Sequence, residues 1–130
     1  MGRLPHGSTV VVVRGGRYHY HGGSFYSRRG SSYVVVRSPY GARIRHVPNG
    51  CTVIIVRRRR YYYYSGTYYT YYPSQSYYEV EQAPVDAIVP DLPEGAEQVD
   101  IDGVAYYKYE DVLYQPIYVE GILQYKVTEL

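Results

Sequence analysis

Tryptophan is absent from this 130-residue chain, and Phe25, Met1 and Cys51 are the only residues of their types. A single cysteine excludes an internal disulfide framework and any zinc site built on cysteines. Acid is missing as well, but only from one half: residues 1–60 contain no Asp or Glu. No aliphatic run approaches the roughly 20 consecutive apolar residues of a membrane helix. The longest, Val10–Val13 and Thr52–Val56, are strand-sized, so no membrane span is expected. Nor does Met1-Gly2-Arg3 lead into the apolar segment that a secretory signal carries. That leaves a cytosolic chain or one whose signal has been removed.

What the chain does have is tyrosine, 21 of them. With so few other large apolar side chains, a core has to be assembled from Val, Ile and Tyr, types that suit a pleated surface and lose rotamer freedom in helices. No segment shows sustained helical periodicity. The expected fold class is therefore all-β, with little or no helix, in a chain long enough for one compact domain or a short array.

The array is legible as three tandem repeats, over 4–46, 47–91 and 92–130. Leu4-Pro5-His6-Gly7, Val47-Pro48-Asn49-Gly50 and Leu92-Pro93-Glu94-Gly95 open them. Each opener leads to a first strand: Thr9–Val13, Thr52–Val56, and Gln98–Ile101 in weaker form. A Tyr-rich strand follows at Arg17–Tyr20, Arg60–Tyr64 and Ala105–Tyr109. Tight turns at Gly22-Gly23, Ser65-Gly66 and Glu110-Asp111 then lead into Phe25-Tyr26, Tyr68-Tyr69 and Leu113-Tyr114. Tyr33–Val36, Tyr77–Val80 and Leu123–Val127 close the three units. Gly15-Gly16, Gly22-Gly23, Ser65-Gly66 and Asp102-Gly103 offer the positive φ angles of two-residue hairpins. Strands this short cannot bury a face alone, so neighbouring repeats are expected to share or stack a common core. Pro5, Pro39, Pro48, Pro84, Pro90 and Pro93, which cannot donate to a ladder, are expected at solvent-facing joints. Cys51 aligns with Ser8 and Ala96 and reads as a small buried side chain.

This pattern, Leu-Pro-x-Gly, Val-x-Val, Gly, Tyr-Tyr-Tyr, Gly, Tyr-Tyr, resembles that of a family of bacterial exported proteins of unknown function. The third repeat fits it best, the second has Arg57–Arg60 in place of the turn glycine, and His19 and His21 interrupt the tyrosines of the first. The resemblance implies a periplasmic or extracellular place in the cell envelope. It implies no activity, cofactor or catalytic residue.

Charge is segregated. Twelve Arg occupy residues 1–60, while residues 61–130 carry twelve acids against two Lys, so sides of +12 and −10 underlie the net +2. Such a chain has complementary ends. The expected interaction surface comprises Arg14, Arg17, Arg28, Arg29 and Arg57, Arg58, Arg59, Arg60 with Tyr62 and Tyr64 on the basic side. Asp100, Asp102, Glu110 and Asp111 face them from the acidic side. Arg interleaved with Tyr could bind phosphate and stack bases. The acidic half, and the lack of any nucleic-acid motif, argue against that partner.

His19 and His21 would lie on one strand face about 7 Å apart, with His6 and His46 as conceivable helpers. No carboxylate within the first 60 residues supports them, so no metal is expected. Glu79/Glu81, Asp100/Asp102 and Glu110/Asp111 read as a wet strand face and a turn, not as an acid/base pair. No nucleophile motif or phosphate loop is present. The expectation is a non-enzymatic structural or interaction module without a cofactor, its partner itself (head to tail) or an envelope protein or glycan. The alternative is a glycan- or nucleic-acid-binding module on an Arg/Tyr face.

Overall fold

The computed structural model describes residues 3–130; Met1 and Gly2, the first two residues of the Met1-Gly2-Arg3 segment, lie outside the described residues. The chain is all-β, with no helix among the described residues, and its strands form three antiparallel sheets. The first layer is a meander of β1 (Thr9–Val13), β2 (Gly16–His21), β3 (Ser24–Arg29) and β4 (Ser32–Val36). In the second, β6 (Thr52–Val56), β7 (Arg59–Tyr64), β8 (Thr67–Tyr72) and β9 (Tyr77–Glu81) repeat that order, and β5 (Arg43–Ile44) adds to the outer edge of β9. The third repeats it again with β11 (Glu97–Ile101), β12 (Val104–Tyr109), β13 (Val112–Val119) and β14 (Ile122–Thr128), and β10 (Ile88–Val89) lies on β14.

β5 and β10 tie the layers together. In sequence β5 ends the first repeat, yet it pairs within the second sheet; β10 ends the second repeat and pairs within the third. The Gly41 N–H donates to the Val80 carbonyl and the Val80 N–H to the Ala42 carbonyl, both at 2.9 Å. The Asp86 N–H donates to Val127 at 2.9 Å and the Val127 N–H to Ala87 at 2.8 Å. Sheet and sequence repeat are thus offset by one short strand.

The sheets stack face to face. Successive residues of a strand point to opposite faces, so the Tyr61–Tyr64 run serves two seams at once. Tyr61, Tyr63, Tyr68, Ile54 and Val56 pack with Tyr114, Val127 and Val89 of the third layer. Tyr69 and Val80, flanked by Tyr62, Tyr64 and Tyr78, pack with Val11, Val13, Tyr20 and Phe25 of the first. A repeated aromatic device marks one face of every layer. His19–Tyr33, Tyr62–Tyr78 and Tyr107–Tyr125 meet edge to face at 5.2, 5.3 and 5.7 Å. Each pair joins the second and fourth strands of its meander and so crosses the third, over Tyr26, Tyr69 and Tyr114 respectively, which are 6%, 0% and 0% exposed.

Two local expectations change. The first hairpin turns on Arg14-Gly15 (φ +47° and +79°), not Gly15-Gly16, because Gly16 pairs with Val13 and so keeps Val11 and Val13 on the face of Tyr18 and Tyr20. At the corresponding turn of the second layer two arginines adopt left-handed backbone, Arg57 at +49° and Arg58 at +70°. The prolines are not all solvent-facing: Pro5, Pro39, Pro48, Pro84 and Pro93 are half-buried. Pro48 and Pro93 wedge into the seams described next.

Candidate interaction surfaces at the ends of the stack

The two internal seams are built alike. The turn between the second and third strands of one layer presents a glycine to a tyrosine and the opening proline of the next. A Cβ on Gly23 (φ +92°) would lie 2.7 Å from the Tyr64 ring and 3.0 Å from Pro48 Cγ. On Gly66 (φ +89°) it would lie 2.7 Å from the Tyr109 ring and 3.1 Å from Pro93 Cγ. Only glycine both tolerates that backbone and leaves room for the ring. Deeper in each seam two phenols meet, Tyr20 and Tyr69 with oxygens 3.4 Å apart and Tyr68 and Tyr114 with oxygens 2.9 Å apart. The Tyr63 hydroxyl donates to the Asp91 carbonyl at 2.6 Å. Burial drives the hydroxyls of Tyr68 and Tyr69 far above the ordinary phenol range, and that of Tyr114 to about 12. These groups stay neutral and hydrogen-bonded.

The two end faces repeat the seam faces without a neighbour. Strand pairing puts Val10, Val12, Arg17, His19, His21, Tyr26, Arg28 and Val35 on the outer face of the first layer. Val35 is 58% exposed against 2% for its counterpart Val80, whereas Val10 and Val12, 52% and 66% exposed, match their counterparts Val53 and Ile55 in the second layer. The β4 edge, which corresponds to the covered edges of β9 and β14, pairs only with β3 among the described residues. At the other end Val99, Ile101, Val104, Tyr106 and Leu113 share the outer face of the third layer, with Lys108 where the first and second layers place Tyr20 and Tyr63. Asp111 stands at the turn position of Gly23 and Gly66, and His21 at the position of Tyr64 and Tyr109.

The residues expected to form an interaction surface are distributed over this frame and are not one patch. Arg17 lies exposed on the first layer's outer face; Arg28 and Arg29 are exposed nearby and bond to the Gly30 carbonyl at 2.9 Å and Ser27 Oγ at 3.1 Å. Arg14 is held by its own chain, donating to the Tyr40 carbonyl at 2.8 Å. Arg57 reaches Asp86 at 3.4 Å and Arg59 reaches Glu81 at 3.5 Å while lying over the Tyr61 ring; Arg58 and Arg60 are exposed. Tyr62 and Tyr64 are half-buried in the seam with the first layer. On the acidic side Asp100 is exposed on β11 and Asp102 occupies its turn. Glu110 and Asp111 are gripped by Arg37 at 3.2 and 2.7 Å, and burial holds the Glu110 carboxyl above its usual range against that pull. Arg37, Val35 and the outer valines were not among the expected residues. The signal for the outer valines is alternation in Val10–Val13: if Val11 and Val13 face inward, Val10 and Val12 face out.

Chemical groups do not converge. Among the described residues no three His, Cys, Asp or Glu side chains gather into a metal-sized cluster. His19 and His21 share a face, but His19 packs edge-on against Tyr33. Glu79 pairs with Arg43 at 3.3 Å, and Glu81 accepts a 2.7 Å bond from Thr70. Cys51 is half-buried, and burial raises its thiol pKa. An open groove of about 760 Å³ between the first layer and the segment at 43–49 is lined by Val10, His21, Arg43, Arg45 and His46. Among the described residues no helix is long and apolar enough to cross a membrane. No curated protein and no solved structure matches the chain. The family model described as a family of unknown function (DUF6515) matches residues 1–130, and the chain belongs to that family.

Proposed function

We propose that this chain is a non-enzymatic structural module of the bacterial cell envelope that associates with itself head to tail, basic first layer against acidic third. The observation that carries this reading is the pair of end faces: each repeats a face that is buried at an internal seam. Their rims have opposite charge. Arg14, Arg17, Arg28 and Arg29 surround the first, and Asp102, Glu110, Asp111 and Glu120 the third. Such a contact is heterologous and extends into filaments unless its rotation closes a ring. The resemblance to exported proteins supports the envelope location. Light scattering across a salt series tests the association, because exposed charges are screened over about 8 Å at physiological ionic strength and about 3 Å at 1 M. Oligomers that shrink as salt rises are expected. A monodisperse monomer at low salt and high protein concentration would refute the head-to-tail reading. Recovery of the native protein in the cytoplasmic fraction would refute the envelope location.

A second reading, binding of an anionic glycan, has one observation behind it: the open groove lined by His21, Arg43, Arg45 and His46 with no acid among its lining residues. Titration with a sulfated oligosaccharide tests it, and loss of binding in an Arg45→Ala, His46→Ala double variant is expected.

A further inference from the structure

The head-to-tail reading leaves open how two copies would meet, and the internal seams supply a template. At both, three elements recur in fixed relation: a turn residue of the leading layer, a ring at the end of the second strand of the following layer, and that layer's opening proline. The sets are Gly23, Tyr64 and Pro48, then Gly66, Tyr109 and Pro93. The small residue and the large ring are matched. A Cβ on Gly66 would come within 2.7 Å of the Tyr109 ring, so any larger residue there excludes a tyrosine in that register.

Both terminal layers depart from this rule, and in compensating ways. The third layer ends its second strand's turn in Asp111, which bears a Cβ and a charge. The first layer carries His21 in place of the tyrosine, a smaller ring that is exposed and basic, with Pro5 in the place of Pro48 and Pro93. A larger residue at one end thus answers a smaller ring at the other, and a carboxylate answers an imidazole. Among the described residues neither packs against a neighbouring layer within one chain, where Asp111 bonds to Arg37 of the linker after the first layer.

We infer that the head-to-tail seam keeps the register of the two internal seams, with Asp111 of one copy against His21 and Pro5 of the next. The inference rests on the self-association reading and specifies its contact residues. Asp111 is 78% exposed in its side chain and already bonds to Arg37 of its own copy at 2.7 Å. His21 would approach its open side, placing one carboxylate between a guanidinium and an imidazole. Val10 and Val12 would stay at the rim of this seam, as their counterparts Val53 and Ile55, 52% and 66% exposed, do at the internal one. Arg17 and Arg28 lie on the same receiving face, and Glu97 and Lys108 pair across strands on the donating one.

Sedimentation velocity at low salt on the full chain tests this. His21→Asp sets two carboxylates together, and His21→Tyr sets a tyrosine against a Cβ; each should weaken association about tenfold or more. Adding Asp111→Gly to His21→Tyr rebuilds the internal glycine–tyrosine match and should return association to within about twofold of the wild type. Circular dichroism confirms that each variant is folded, as expected for two exposed positions. If the wild type associates and neither single variant weakens it, this seam is wrong and self-association runs through another surface. Failure of the paired substitution to recover association would also overturn the register. A wild type that stays monomeric overturns the seam and the self-association reading together.

Discussion

Val35, Val80 and Val127 occupy the same position in three successive layers, the last strand of each meander. Val80 and Val127 are 2% and 3% exposed, while Val35 is 58% exposed. The residue type is identical and the strand pairing equivalent. The difference is the neighbour: β5 and β10 arrive from the preceding layer to cover Val80 and Val127, and no described segment does so for Val35. Burial at this position is therefore a property of the array rather than of the strand. The first strand behaves differently: Val53 and Ile55 of the second layer are 52% and 66% exposed, as are their counterparts Val10 and Val12 of the first.

The largest effect that sharpens this contrast is alkaline unfolding. Raised phenol pKa values belong mostly to tyrosines at the seams, with Tyr114 held to about 12 by burial and Tyr68 and Tyr69 driven higher. Below about pH 10 both folded and unfolded chains keep these phenols protonated, and stability is flat with respect to them. Above it the unfolded chain releases protons that the folded chain retains, so stability falls as pH rises toward the folded values. Circular dichroism should show cooperative unfolding in that window, with the buried phenols ionising together by absorbance. Gradual ionisation without loss of structure would mean that the seams are open to solvent.

Next in size is a comparison of equivalent tyrosines. Tyr69→Ala should cost about 3–5 kcal/mol in urea denaturation, as for other large buried side chains. Tyr26→Ala, under the same aromatic pair but with no layer beyond it, should cost measurably less. Equal losses would show that the first two layers do not depend on one another. Gly66→Ala should then exceed Gly30→Ala. Both impose left-handed backbone on alanine, roughly 1–2 kcal/mol, but only Gly66 faces a ring, whereas Gly30 has open space. The smallest expected change is Arg37→Ala, which removes an exposed link from the first repeat to Glu110 and Asp111. About 1 kcal/mol or less is expected, vanishing at high salt. A larger loss would mean that the linker holds the stack in place.

Much of the fold was legible in local chemistry. Tyr, Val and Ile in short alternating runs left no alternative to strands, and Gly-bearing dipeptides located most hairpins. Arg57-Arg58 was harder to read, because nothing local to two arginines favours left-handed backbone; the register of Ile54 and Val56 against Tyr61 and Tyr63 imposes it. The candidate surface was only partly visible. Its charges were plain in the sequence, but Tyr62 and Tyr64 were assigned to it because alternation says that one set of rings leaves the core without saying what the other set meets. They meet the first layer. Nothing local marks Arg37, whose acidic partners lie 73 and 74 positions away.

Composition and period by themselves determined an all-β chain of three repeats with oppositely charged ends, since side-chain shape and strand alternation act over a few residues. Tertiary structure decided that each repeat lends its last short strand to the next sheet, that Gly23 and Gly66 serve as sockets for tyrosines, and that two equivalent faces remain uncovered. Those features depend on hydrogen bonds and ring contacts between residues about 40 positions apart. Such contacts exist only after the layers stack.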